Sequence, residues 1–246
     1  MWQPGQIERL IGFMFFLVFS PKFLEMGTQT RNILYIHGMG GGGDSRIPSI
    51  LKEHINDVLD PSAGLRLEVV VRTYSFDPET AWGQISSWVE ELHPVLIAGE
   101  SLGALNAIKI RSLPHVLVSP SLNAPVYLGY FAPLAIVPGV TWLLDRIFKP
   151  KDGDRQKLHF IFRTLSKYRR LRREALSNTP RRGSTDTFFA FFGRRDHYRK
   201  SGIVSVRTYR RYFGETFAMY DGTHFMEEEF VLSMLIPKIV EISKAL

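Results

Sequence analysis

The sequence predicts an α/β fold in which a mostly parallel central sheet is covered by helices on both faces. Short apolar runs alternate with stretches of helical periodicity through most of the 246 residues. Several of those runs are apolar at nearly every position, as expected of strands buried on both sides. Two of them end directly in glycine-rich turns. Composition agrees, with 45% hydrophobic and 22% charged residues, ordinary values for a globular chain long enough to bury most of its apolar surface in one core.

The elements read in order. Asn32 to His37 (NILYIH) is a buried strand, and Asp44 or Ser45 is placed to cap a helix that begins near Arg46. Ile47, Ile50, Leu51, Ile55 and Leu59 then recur at helical spacing. Leu65 to Tyr74 (LRLEVVVRTY) is rich in β-branched residues and reads as a strand. Asp77 is placed to cap a helix carrying Trp82, Ile85, Trp88 and Val89 on one face. Pro94 to Ala98 (PVLIA) is a third strand, Ala104 to Arg111 a helix, and His115 to Ser119 (HVLVS) a fourth strand. The alternation breaks over residues 120–183. Apolar residues dominate there up to Phe148, with interruptions at Pro133 and Pro138, and a basic helical segment over 155–173 follows. Strands resume at Thr185 to Phe192 and Glu215 to Tyr220, with a helix between them near Gly202 to Tyr212. A helix over Met226 to Leu246 closes the chain.

Charge and cysteine usage bound the partners. The formal net charge is +7, and much of the excess lies between Lys149 and Arg182. Such a patch suits anionic lipid, nucleic acid or a phosphate-bearing substrate, or is plain solvated surface. Of these, contact between the basic helix 155–173 and an anionic membrane surface is kept as an expectation, and nucleic acid is not expected. The absence of cysteine excludes disulfides, thiol nucleophiles and thiolate metal sites. No metal-ligand cluster has convincing spacing, and neither a metal nor another cofactor is expected.

Residues 1–30 stand apart as an N-terminal arm. Leu10 to Phe19 (LIGFMFFLVF) is apolar but too short to span a bilayer. It has the length of a signal-peptide core, yet Pro21 follows closely and no A-x-A-like cleavage site appears. Three readings stay open: translation starting at Met26, an exported leader, or an apolar arm packed on the domain or on a membrane surface. A cytoplasmic location is expected, with export or membrane association left open.

The chemistry is carried by four turns, each following a strand. Gly99-Glu100-Ser101-Leu102-Gly103 matches G-x-S-x-G between a strand and a helix, where a sharp turn exposes the serine hydroxyl above the sheet. His37-Gly38-Met39-Gly40 closes the first strand. The run from Gly38 to Gly43 also satisfies G-x-G-x-x-G, with Asp57 or Asp60 at the distance of a ribose-binding acid. A dinucleotide site is the rival reading of that turn, although both acids sit on the helical pattern and not at the end of the next strand. Gly222-Thr223-His224-Phe225 follows the last strand. Gly193-Arg194-Arg195-Asp196 follows the strand before it.

With these motifs in this order, the chain from Arg31 to Leu246 resembles the α/β-hydrolase superfamily. The resemblance implies Ser101 as nucleophile, His224 as base and Asp196 as the acid that orients the base, with Asp221 as the substitute acid. It implies an oxyanion hole formed by the backbone N–H groups of Met39 and Leu102, a substrate pocket including His37, Gly38 and Gly40, and a lid in the insertion over about 120–183. In the lid, Tyr130 and Trp142 are expected to line an apolar pocket, or else to be core of an additional helical layer. The implied activity is cleavage of a small-molecule carboxyl ester or thioester through an acyl-enzyme. The alternative is a non-catalytic binding protein of the same fold. Nothing in the sequence marks the amine-recognition site of a peptidase.

Overall fold

The computed structural model describes residues 29–60, 64–150, 152–180 and 187–246. The apolar run Leu10 to Phe19 and the alternative start at Met26 lie outside these residues. Among the described residues, six parallel strands form one sheet in the order β2-β1-β3-β4-β5-β6. They are β1 (Gln29–Ile36), β2 (Leu65–Val71), β3 (Leu96–Glu100), β4 (Pro114–Val118), β5 (Thr187–Gly193) and β6 (Phe217–Tyr220). The chain winds outward from β1 to β2, then crosses back to add β3 on the other side. That reversal opens a crevice beyond the C-terminal ends of β1 and β3, the place where open α/β sheets bind ligands.

Register sets what meets at that edge. Ile36 pairs with Gly99, Glu100 with Val118, Val118 with Phe191 and Gly193 with Tyr220. The turns beginning at His37, Ser101, Ser119, Arg194 and Asp221 therefore lie side by side along one edge of the sheet.

Both faces are buried, as the uninterrupted apolar strands require. Leu34, Ile36, Ile97 and Leu117 pack into one cluster, and Ile33, Tyr35, Leu96 and Val116 into the other. The second cluster is closed by α1 (Arg46–His54) and by the C-terminal segment. That segment begins as a single turn at Glu228–Phe230, passes through a π-turn at Val231–Leu235 and continues as α8 (Ile236–Lys244). The first cluster is closed by α2 (Pro78–Leu92), α3 (Gly103–Lys109), α6 (Phe162–Ala175) and α7 (Val206–Phe213).

The capping signals split. Asp77 caps α2 as its sequence suggests, accepting from the N–H groups of Glu79 and Thr80. Ser45 occupies the N-cap of α1 but makes no capping bond. Its hydroxyl accepts from the Gly42 N–H, 2.9 Å away, so it serves the glycine turn instead.

The insertion contains α4 (Ala124–Phe131), a 3-10 turn (Ala132–Ile136), α5 (Val140–Ile147) and α6. The basic helix is shorter than expected. It starts at Phe162, so Leu158 and Ile161 precede it, and Phe162 itself is exposed. Leu165, Tyr168, Leu171 and Ala175 form its buried stripe, which makes α6 part of the core. Among the described residues, no helix is long and apolar enough to cross a membrane.

Candidate active site

Ser101 sits in the crevice at the tip of the β3–α3 turn with φ +50°, in the left-handed region that a non-glycine residue enters only under constraint. The constraint is visible. Its N–H donates to Val118 O at 2.9 Å, and its carbonyl accepts from Ser121 N at 3.0 Å. The flanking glycines allow the elements to close up. A Cβ on Gly99 would lie 2.6 Å from Ala107 Cβ, and one on Gly103 would lie 2.1 Å from the carbonyl oxygen of His37. The helix thus rides directly on the end of β1, bringing the His37 turn against the serine.

Three side chains from three turns are linked by hydrogen bonds. His224 Nε2 lies 2.9 Å from Ser101 Oγ, and His224 Nδ1 lies 2.8 Å from Asp196 Oδ2. A carboxylate only accepts, so Nδ1 carries the proton towards Asp196 and Nε2 accepts from the serine hydroxyl. Both His224 and Asp196 are buried. Asp196 also accepts from Tyr198 N at 2.8 Å through its other oxygen, which fixes the carboxylate plane. The turns that carry the pair are tied together, because Arg194 N donates to Tyr220 O and Arg195 N to Gly222 O. Asp221, the substitute acid, is exposed and faces Arg195 at 3.5 Å; it is not bonded to His224.

One partner of the serine was not apparent in the sequence. Ser121 is buried, and its hydroxyl oxygen lies 3.1 Å from that of Ser101. Ser101 has a single proton, already directed to His224, so Ser121 is the donor. Only the pairing of β3 with β4 brings residue 121 there.

The glycine turn is tied down at almost every amide. Gly40 N donates to the side chain of Gln156, Gly41 N to Gly38 O, Gly42 N to Ser45 and Gly43 N to Thr73. Among the described residues, the amides of Met39 and Leu102 donate to no protein acceptor. Both residues border the serine turn. The rival dinucleotide reading gains no support from Asp57, which lies in the turn after α1, bonded to His54, next to Asn56, whose side chain bonds Leu67 near the start of β2.

His37 does not reach the crevice. It is buried beneath the turn, stacked on Tyr74 with ring centroids 4.2 Å apart, and Nδ1 donates to Gly38 O. Burial holds its imidazole down to about 4, against an ordinary 6.5, and the Gly38 bond opposes this only in part. Between pH 6.5 and 4 the unfolded chain therefore binds a proton that the folded protein refuses, and acid lowers stability through that window. Above 6.5 neither state holds the proton, and the effect vanishes. The loss should total about 3 kcal/mol. Urea unfolding at a series of pH values checks this: His37→Phe, which keeps a ring on Tyr74, should flatten the slope between pH 4 and 6.5. An unchanged slope would show that the imidazole is not its source.

A cavity of about 550 Å³ opens onto Ser101. Gly38, Met39 and Gly40 form one wall. Ile47, Phe225 and Thr223 add apolar and backbone surface, and Arg46, Glu100, Arg155 and Glu227 add charge. Burial pushes the Glu100 carboxyl above the usual carboxylate range, against the opposing hydrogen bond from Tyr35 and the nearby charges of Arg46 and Arg155. Tyr130 and Trp142 are not in this wall. They are 68% and 64% exposed, on α4 and α5, and face away from the core. The sequence shows that the segment is apolar but not which way it faces, because proline interruptions leave no single helical stripe. What the insertion does contribute is Arg155 and the buried Gln156, which bonds Gly40 N and, through its own N–H, Gly41 O. Among the described residues, no group of His, Asp and Glu is placed to hold a metal ion.

No protein-family model and no curated protein matches the chain in sequence. Solved structures do match. A monoacylglycerol lipase from Paleococcus ferrophilus aligns at 19% identity over 86% of this chain and 94% of that one, with a TM-score of 0.56. Est1E from Butyrivibrio proteoclasticus aligns at 15% identity over 89% and 91%, with a TM-score of 0.55. A pyrethroid hydrolase from Sphingobium faniae aligns at 12% identity over 88% and 98%, with a TM-score of 0.50. The chain has the α/β-hydrolase fold.

Proposed function

We propose that this protein is a serine hydrolase that cleaves a small carboxyl ester or thioester through an acyl-enzyme. The observation that carries the reading is the unbroken relay from Asp196 through His224 to a serine in a left-handed turn, facing a cavity. Two of the similar folds are described as a monoacylglycerol lipase and a pyrethroid hydrolase, and these hydrolytic activities support the reading.

The relay dictates the steps. The Ser101 hydroxyl attacks the substrate carbonyl carbon while His224 Nε2 takes its proton. Asp196 holds the proton-bearing Nδ1 in place and stabilises the imidazolium that forms. The carbonyl oxygen becomes an oxyanion, for which the uncommitted amides of Met39 and Leu102 are the available donors. His224 returns its proton to the leaving oxygen or sulfur. Water then attacks the acyl-enzyme by the same route and regenerates Ser101. The cavity, about 550 Å³, suits a small or medium substrate.

Fluorophosphonate labelling tests the reading directly. The wild type should label, and Ser101→Ala and His224→Ala should not while remaining folded. A folded wild type that neither labels nor hydrolyses any of a panel of esters and thioesters would move the protein to the binding class. Ser121→Ala should lower kcat by about threefold to tenfold with KM unchanged, since it removes one hydrogen bond that holds the nucleophile's rotamer. An equal change confined to KM would place Ser121 with substrate binding instead.

A further inference from the structure

We infer that the outer surface formed by α4, the Ala132–Ile136 turn and α5 docks on an anionic lipid bilayer. Nine of the fifteen large apolar side chains that are exposed among the described residues fall within 130–148. α5 has no buried residue. Trp142 is 64% exposed, Ile147 61% and Ile136 66%. Exposed apolar surface this concentrated calls for a partner.

The charge around it selects the partner. The Arg146 guanidinium lies 5.5 Å from the Trp142 ring, and that of Arg169 lies 5.6 Å from the Tyr130 ring. Lys149 follows the exposed Phe148, and Arg163 follows the exposed Phe162. The hydroxyl of Thr141, which donates to Phe160 O, holds the start of α6 beside α5. None of these four cations is in an ion pair among the described residues. Residues 120–183 contain thirteen Lys and Arg against four Asp and Glu, net +9; the remainder contains eighteen against twenty, net −2. Aromatic rings with long cationic side chains beside them suit the boundary between acyl chains and anionic headgroups. A second copy fits less well, since two-fold pairing of this face would bring like charges together.

The basic helix α6 contributes Arg163 and Arg169 to this face, while several of its other cations are already engaged. Lys167 is paired with Asp77 and Glu79, Arg170 with Glu79 and Glu174, and Arg172 bonds Leu122 O and Asn123. Arg146 and Arg169 lie against aromatic rings of the apolar surface.

Co-sedimentation of the full chain with phosphatidylcholine vesicles, with and without phosphatidylglycerol, tests the inference without relying on any activity. Binding should require phosphatidylglycerol and weaken with salt. The pair Trp142→Asp and Ile147→Asp, and separately Arg146→Glu with Lys149→Glu, should weaken it roughly tenfold or more while thermal unfolding stays unchanged. Three results would overturn it. The wild type binds neither vesicle. Or binding survives both pairs of substitutions, which would assign it elsewhere, the apolar run Leu10 to Phe19 included. Or the protein is a dimer that Trp142→Asp with Ile147→Asp dissociates, with no vesicle binding.

Discussion

Ser101→Ala should reduce kcat for an activated ester by on the order of 10⁴- to 10⁶-fold and leave the fold intact. Among the described residues the lost hydroxyl bonds only His224 and Ser121, while the backbone bonds that hold the turn, to Val118 O and from Ser121 N, do not involve it. His224→Ala should cost about as much, because an unassisted serine hydroxyl is a poor nucleophile at neutral pH. The double variant should be hardly worse than either single one, since the two side chains act as a unit. Asp196→Asn is the sharper test of the relay. Its amide can present a donor to Nδ1, which favours the tautomer with the proton on Nε2 and blocks acceptance from Ser101. A loss of about 10⁴-fold in kcat is expected. Asp221→Asn should change activity by less than about twofold, since the carboxylate is exposed and bonded elsewhere. Steady-state rates on a nitrophenyl ester, with circular dichroism to verify folding, decide the matter. Equal losses at 196 and 221, or residual activity within tenfold in Ser101→Ala, would remove the proposed mechanism.

Legibility in the sequence followed locality. Strands and helices could be read because apolar runs and Asp77 act through neighbours a few residues away. Ser101, His224 and Asp196 could be picked out because each lies in a turn that follows a strand, and parallel strands deliver their C-terminal turns to one edge. Ser121, Gln156 and Arg155 could not be read in this way. Each reaches the site through pairing or packing with residues far away in the chain, 116 positions in the bond between Gly40 and Gln156. The outward face of Trp142 was hidden for the same reason: an apolar residue looks alike in sequence whether it faces a core, a pocket or a bilayer. A glycine run of this length in sequence allows a loose loop after His37. The structure ties four of its amides, and its glycines serve close approach, with Asp154 O where a Cβ on Gly42 would sit.

Gly103→Ala should destabilise the protein by about 3 kcal/mol or more, the upper end for overpacking at a rigid contact. The added Cβ would lie 2.1 Å from His37 O and 2.7 Å from Ile36 O. Both obstacles are backbone atoms at the end of β1, and they have little room to yield. Ile36 is registered against Gly99, while His37 O accepts the buried hydroxyl of Tyr74. Relief therefore requires α3 to lift from the sheet or the His37 turn to move outward. Either shift separates the amides of Leu102 and Met39, so kcat should fall in the folded fraction as well. Gly83→Ala supplies the control within the same chain. It lies inside α2 with nothing within 4 Å of an added Cβ, so alanine there should stabilise by about 0.5–1 kcal/mol through helix propensity. Urea midpoints of the two variants should move in opposite directions. If Gly103→Ala cost no more than about 1 kcal/mol, the helix would have to be free to slide on β1, and the close seat proposed for the nucleophile turn would be wrong.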